Sequence, residues 1–156
     1  MVFGAIPSGS AALIYIAQDK GFFSDNGLKV EVKDYPTGVE TTAALMRGDV
    51  HIAWSAEFPL VHRAFAKEGI SIIASLSRFS DQYLFCRKDH GIENVSDLNA
   101  KVIGIPRNTI VEFYLARFLE LNGINVNDVS LVNVPPPHSM EAITAGKVDG
   151  VVTWEP

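Results

Sequence analysis

The chain has 156 residues, 47% of them apolar, 20% charged and 10% aromatic, with a formal net charge of −5. That composition excludes a disordered chain and supplies one substantial core or two small lobes. Thirteen basic residues against eighteen acidic ones, with no Lys/Arg cluster, give no nucleic-acid footprint, and no run of about 18 apolar residues is present to span a membrane.

Short β-rich apolar runs alternate with amphipathic stretches along the whole chain, the pattern of an α/β fold with largely parallel strands. The first run predicts a buried strand over 2–6, so the chain opens without a secretory leader. A helix over 10–20, a strand over 28–33, a helix over 39–47, a strand over 52–54, a helix over 57–67 and a strand over 70–76 follow. After these come strands over 83–86 and 102–105, a helix over 109–122, a strand over 130–134, a helix over 139–145 and a last strand over 150–153. Thr37 with Glu40, and Thr109 with Glu112, have capping-box spacing. Ser96 reads as a helix cap before Asp97-Leu98. Gly21, Gly48, Gly123 and Gly146 fall where a helix needs a left-handed closing residue. Phe22-Phe23 reads as core packing, and Cys86, the single cysteine, has no disulfide partner within the chain.

The two halves resemble each other. Ile6-Pro7 followed by Tyr15-Ile16-Ala17 recurs as Ile105-Pro106 followed by Tyr114-Leu115-Ala116, and Arg47-Gly48-Asp49-Val50-His51 as Ala145-Gly146-Lys147-Val148-Asp149. Each copy reads strand–helix–strand–helix–strand and ends in or beside a tryptophan, Trp54 and Trp154, which predicts two related lobes. The second copy runs only to Glu155 and Pro156, so the expectation is a fragment whose second lobe lacks an outer helix and strand.

In open parallel α/β sheets a ligand sits beyond the carboxyl ends of the strands, where helix N-termini converge. Small polar residues stand at those places: Ser8, Gly9 and Ser10 after the first strand, Ser55 after Trp54, Arg107, Asn108 and Thr109 in the second copy, and His138 before its next helix. Hydroxyls and free N–H groups there suit an anion or a polar head group, and Arg107 offers bidentate charge. The same residues also serve as ordinary N-caps. Trp54 and Trp154 suit either core packing or stacking on a planar ligand, and Glu155 either accepts from a ligand or caps a helix.

No cofactor is implied. Gly4-Ala5-Ile6-Pro7-Ser8-Gly9-Ser10 has the glycine spacing of a phosphate loop but carries serine where the lysine belongs, and the dinucleotide fingerprint is missing around Gly104. His51, His62, His90 and His138 lack metal-ligand spacing and read as surface or packing residues, and no nucleophile elbow is present.

Tyr15-Ile16-Ala17-Gln18-Asp19-Lys20-Gly21-Phe22-Phe23 and Gly27-Leu28-Lys29-Val30-Glu31-Val32 resemble the opening of the substrate-binding proteins of nitrate/sulfonate/taurine-type ABC transporters, the NMT1/THI5-like group. Leu45-Met46-Arg47-Gly48-Asp49-Val50, the run from Val95 to Ile105 and the run from Gly146 to Pro156 extend the resemblance over nearly the whole chain. It implies a type II periplasmic-binding-protein fold, with two Rossmann-like lobes over 1–82 and 83–156 that close on a solute, and with 83–86 as the first crossing. The implied site is lined by Ser8, Gly9, Ser10, Trp54, Ser55, Arg107, Asn108, Thr109 and Trp154. The implied partners are a small-molecule ligand and a membrane permease, and the implied location is the periplasm or a lipid anchor outside the cell. An uncompleted sheet edge offers pairing with a second copy. Two other classes use this fold: biosynthetic enzymes of the THI5-like or menaquinone-pathway type, and effector domains of LysR-type regulators. The clustered cysteines that mark the THI5-like enzymes are missing, since Cys86 stands alone.

Overall fold

The computed structural model describes residues 1–78, 80 and 82–154. The chain divides into two compact units, Met1–Ser80 and Asp81–Trp154.

In the first unit, β1 (Val2–Ala5) lies between β2 (Glu31–Asp34) and β3 (Ile52–Ala53), and both pairings are parallel. Two helices, α1 (Ala12–Asp19) and the short α2 (Phe22–Asp25), connect β1 to β2; α3 (Gly38–Arg47) connects β2 to β3, and α4 (Glu57–Phe65) follows. Residues 28–30 complete the turn after α2, where the Leu28 N–H reaches the Phe23 carbonyl at 2.8 Å, so β2 begins later than its apolar pattern predicts. Helix α4 stops two residues early because Lys67 takes a left-handed φ of 57°. The strand expected over 70–76 does not form. Those residues have no regular structure, and Ile72 and Ile73 are about three-quarters exposed (74% and 76%). A β-branched run holds a strand only where a neighbour completes its ladder, and none of the described strands lies beside it.

The second unit contains a four-stranded sheet in the order β4-β7-β5-β6, with β4 (Gln82–Cys86), β5 (Val102–Ile105), β6 (Ser130–Asn133) and β7 (Gly150–Trp154). Strands β5, β6 and β7 are parallel, and β4 runs antiparallel to β7. The strand expected over 83–86 is β4, an outer strand among the described residues of this sheet. Helix α5 (Ile110–Leu121) carries Val111, Leu115 and Leu119 four residues apart, a stripe that seals one face of the sheet with Leu98, Ile103 and Ile105. Helix α6 (Ser139–Thr144) covers Val134, Val148 and Val151 on another cluster.

The internal repeat is present in the hydrogen bonds. The His51 N–H donates to the Val2 carbonyl at 2.9 Å and the Asp149 N–H to the Val102 carbonyl at 2.8 Å. Tyr35 reaches Ala5 and Val134 reaches Ile105, each at 2.9 Å. Ala5, and not Ile6, is therefore the structural counterpart of Ile105, one residue away from the match suggested by the Ile-Pro pairs. The side chains repeat the bond as well: His51 Nδ1 accepts the Val2 N–H at 3.0 Å, and Asp149 Oδ2 accepts the Val102 N–H at 2.8 Å. His51 and His90, read as surface or packing residues, are thus fastening groups, His90 through its contact of 2.7 Å with Asp149.

Gly21, Gly48, Gly123 and Gly146 all take positive φ, as their positions require. The caps differ from expectation. Thr37 accepts the Val39 N–H at 3.1 Å and donates its own hydroxyl to Glu40. The turn at Val95–Leu98 begins at Asn94, whose N–H is accepted by Asp97 at 2.8 Å, so Ser96 is not its cap. Phe23 packs with the first core, while Phe22 is 54% exposed.

Candidate functional site

At the carboxyl end of β1 the chain turns through Pro7 and Ser8 into a 3-10 turn at Gly9–Ala11 that leads to α1. The Ser8 and Ser10 hydroxyls do not cap the helix; they bond each other at 2.8 Å. Ser77, which sequence reasoning missed, donates its hydroxyl to the Ser10 carbonyl at 2.8 Å and ties the irregular stretch after α4 to this loop. The signal for it was the serine alternation that interrupts the apolar run at Ser75 and Ser77. A shallow hollow of about 450 Å³ beside the loop is lined by Pro7, Ser8, Gly9, Ala12, Tyr15 and Ile16. Tyr15 is held there by a bond of 2.7 Å to Asp34, and burial together with that carboxylate pushes its phenol well above the ordinary range.

Trp54 follows β3 directly. Its N–H reaches the Gly4 carbonyl at 2.8 Å, its ring packs against Ala5, Ala11 and Ile14, and its carbonyl accepts the buried Thr41 hydroxyl at 2.6 Å. Ser55 donates to the Ala56 carbonyl at 2.9 Å and the Gly38 carbonyl at 3.3 Å. A Cβ at Gly38 would lie 2.6 Å from Ser55 Oγ, so glycine there lets α3 approach the strand end. The first unit thus gathers Ser8, Gly9 and Ser10 in one loop and places Trp54 and Ser55 at the end of the strand next to β1.

In the second unit the loop after β5 is charged. The Arg107 guanidinium lies 3.1 Å from Glu112 Oε1, and the Asn108 N–H donates to Glu112 Oε2 at 2.7 Å. Glu112 therefore does not close a box with Thr109. It sits one residue out of that register and pairs with the arginine whose bidentate charge the sequence offered to an anion. Asn108 has a left-handed φ of 61°, a conformation asparagine tolerates better than most residues. The buried Thr109 hydroxyl is committed to the Pro106 carbonyl at 2.6 Å, and Asn133 at the end of β6 accepts the Arg107 N–H at 3.1 Å. His138 precedes α6 with an exposed side chain, and its Nδ1 lies 3.8 Å from Glu141, beyond hydrogen-bond length. Beside it the Ser139 hydroxyl is buried without a partner. Trp154 pairs with Gln82 across the β4–β7 ladder, and its ring packs on the α5 core. Glu155 lies outside the described residues.

Among the described residues no group of three His, Cys, Asp or Glu side chains is placed to hold a metal ion, and no helix is long and apolar enough to cross a membrane. Burial pushes the Cys86 thiol up, with the nearby Asp149 charge adding to it.

The chain is 28% identical over 148 residues to the taurine-binding periplasmic protein of Escherichia coli K12, an alignment that covers 94% of this chain and 46% of that protein. Its fold superimposes on the alkanesulfonate-binding protein SsuA from Xanthomonas axonopodis pv. citri, bound to MOPS, with a TM-score of 0.81 at 18% identity, covering 100% of this chain and 54% of that one. The periplasmic nitrate-binding protein NrtA from Synechocystis PCC 6803 gives a TM-score of 0.73 at 16% identity, covering 99% and 46%. The chain thus spans about half the length of the relatives it matches. Its fold is that of half or so of a periplasmic binding protein, α/β with mostly parallel sheets. The model of the family described as NMT1/THI5 like matches residues 9–155, and the chain belongs to that family.

Proposed function

We propose that this chain is part of the solute-binding component of an ABC importer that captures a small anion, such as a sulfonate, taurine or nitrate, or a thiamin-precursor-like pyrimidine. The observation that supports this reading most is the repeated placement of polar loops beyond the carboxyl ends of both sheets, in a family whose relatives bind taurine, alkanesulfonate and nitrate. In the first unit the residues proposed to meet a ligand are Ser8, Gly9 and Ser10 in the loop after β1 and Ser55 after Trp54, whose ring packs on the core. In the second unit the residues proposed to meet a ligand are Arg107, Asn108 and Thr109 in the loop after β5 and the exposed His138 before α6, while the Trp154 ring packs on the α5 core. Binding alone, with no bond made or broken, is the reading that fits relatives named as binding proteins. The protein works in the periplasm or from a lipid anchor outside the cell and passes its ligand to a membrane permease.

The test is a thermal-shift screen of the full-length protein with taurine, alkanesulfonates, nitrate, bicarbonate, thiamin pyrimidines and riboflavin. A ligand at about one hundred times its dissociation constant stabilises the fold by roughly 2.7 kcal/mol. One clear hit supports the receptor and names its ligand class; silence across the panel turns the assignment toward an enzyme or a regulator domain. Arg107→Ala weakens binding of an anionic hit by about 1.5 kcal/mol, the low end for a charged hydrogen bond, because Glu112 already shares the guanidinium. Unchanged affinity by titration calorimetry removes Arg107 from the site.

A further inference from the structure

The sequence contains two Asn-Gly pairs, Asn26-Gly27 and Asn122-Gly123, and each closes a helix in the same way. The Asn26 amide nitrogen donates to the Phe22 carbonyl and the Asn122 amide nitrogen to the Phe118 carbonyl, both at 2.8 Å. The Gly27 N–H reaches the Ser24 carbonyl at 2.9 Å and the Gly123 N–H the Glu120 carbonyl at 3.0 Å, and both glycines have a φ of 73°. The next N–H folds back over the turn, Leu28 to Phe23 at 2.8 Å and Ile124 to Leu119 at 2.9 Å. Gly48 and Gly146 follow Arg47 and Ala145, which carry no side-chain amide.

An asparagine before glycine loses its amide without an enzyme. The glycine nitrogen, which no neighbouring side chain shields, gives up its proton and attacks the asparagine Cγ. The N–Cγ bond forms, the Cγ–Nδ2 bond breaks, and Nδ2 leaves as ammonia with that proton. Water then opens the five-membered imide at either carbonyl, giving aspartate or isoaspartate. Closing that ring needs the glycine nitrogen eclipsed with the asparagine Cβ. At ψ values of 16° for Asn26 and 13° for Asn122, it lies nearly eclipsed with the asparagine's own nitrogen instead. Each turn must therefore open before its asparagine reacts.

The two turns differ in what opening them breaks. Helix α2 has four residues, none of them buried, and Leu28 beyond it is 47% exposed. Phe23 is the residue of α2 that packs on the first core. Helix α5 has twelve residues, Leu119 in its last turn is completely buried, and Ile124 packs on the same core. A segment with few buried contacts opens locally at little cost, whereas one anchored in a core opens with the unit around it.

We propose that Asn26 is a site of spontaneous deamidation in the folded protein, and that Asn122, with the same chemistry, is protected until the second unit opens. The product at residue 26 is a carboxylate. It cannot donate to the Phe22 carbonyl, and it stands beside Asp25 at the negative end of α2, so the converted turn closes less tightly than before.

The experiment holds the unmodified chain for weeks in mildly alkaline buffer, with and without denaturing urea, and follows both sites by peptide mass mapping. Circular dichroism confirms the fold in the urea-free samples. In the folded chain Asn26 converts at least about tenfold faster than Asn122, the ratio that roughly 1.4 kcal/mol of difference in local opening produces. In urea the two rates draw level, because both turns are gone. Isoaspartate at residue 26, detected by an isoaspartate-specific carboxyl methyltransferase, identifies the imide route, since direct hydrolysis of the amide gives aspartate alone. Asn26→Gln, whose longer side chain would have to close a six-membered ring, removes that signal. Equal rates in the folded chain, faster conversion at Asn122, or an Asn26 that reacts in urea but not in the folded chain overturns the proposal.

Discussion

In the second unit Leu98, Ile103, Ile105, Val111, Leu115 and Leu119 close around one face of the sheet, all less than 4% exposed. The corresponding face of the first unit is lined by Ala5, Ala11 and Ile14, with Phe65, Ile72 and Ile73 left to solvent. Yet the three parallel strands keep the same order in both, and a side chain accepts the N–H of the first strand at the equivalent place, although the second sheet adds β4 and the acceptor changes from imidazole to carboxylate. The comparison teaches that this frame is fixed by register and turn geometry more than by the volume of the core it encloses. A small core and a large one sit on equivalent hydrogen bonds.

The largest way to break the comparison is to empty the larger core. Leu119→Ala in the completely buried stripe of α5 destabilises the second unit by about 2–5 kcal/mol. Ile14→Ala falls at the low end of that range, because alanine neighbours leave little to collapse and little to lose. Urea unfolding of the two variants checks the order, and an Ile14→Ala loss equal to the Leu119→Ala loss contradicts it.

A sharper test uses paired glycines. A Cβ at Gly104 would lie 2.8 Å from Val134 Cγ2 and 3.2 Å from its Cβ, whereas at Gly4, the equivalent place in β1, the nearest atom is Tyr35 Cε2 at 3.2 Å. Gly104→Ala therefore destabilises by about 1–3 kcal/mol and Gly4→Ala by less. Gly150→Ala belongs with the severe case, since its Cβ would meet the Phe85 backbone carbonyl at 2.8 Å. Thermal melts rank the three.

Acid sharpens the contrast between the fasteners. The Val102 N–H and His90 hold the Asp149 carboxyl below the usual carboxylate range. Its contribution is complete above the unfolded value of about 3.9 and is lost as pH falls through the lower folded value. Asp149→Asn flattens the acid limb of stability below about pH 4, measured by circular dichroism against pH. The smallest expected effect is Tyr15→Phe, which removes an exposed bond to Asp34 and lowers stability by at most about 1 kcal/mol.

Much of this was legible in the amino-acid sequence, and what was not has physical causes. Glycine placement marked the helix ends because only a left-handed residue closes them without strain. The repeat was visible because each copy keeps the same glycine and valine ahead of its third strand. The run over 70–76 misled because β propensity records side-chain shape, while a strand needs a neighbour that propensity does not supply. At the site, the loops were found but their internal pairings were not. Glu112 takes Arg107 and the Asn108 N–H because the left-handed turn at Asn108 shifts the cap by one residue, and spacing alone does not reveal that turn. Thr41, Ser77 and Asn133, which hold the site loops, touch them across 13, 67 and 26 residues of chain.

The antiparallel placement of β4 beside β7 also orders events during synthesis. The described strands of the first sheet are all present once Ala53 has been made, so they can pair while the rest of the chain is still emerging from the ribosome. Strand β4 emerges soon afterwards, but its partner is the last described strand, and the intervening β5 and β6 reach β4 only through β7. Until Trp154 is available, Tyr83, Leu84 and Phe85 form an apolar strand with no ladder, the kind of segment that chaperones hold. The same backbone plan thus lets the described strands of the first sheet pair as they are made, while β4 waits for β7.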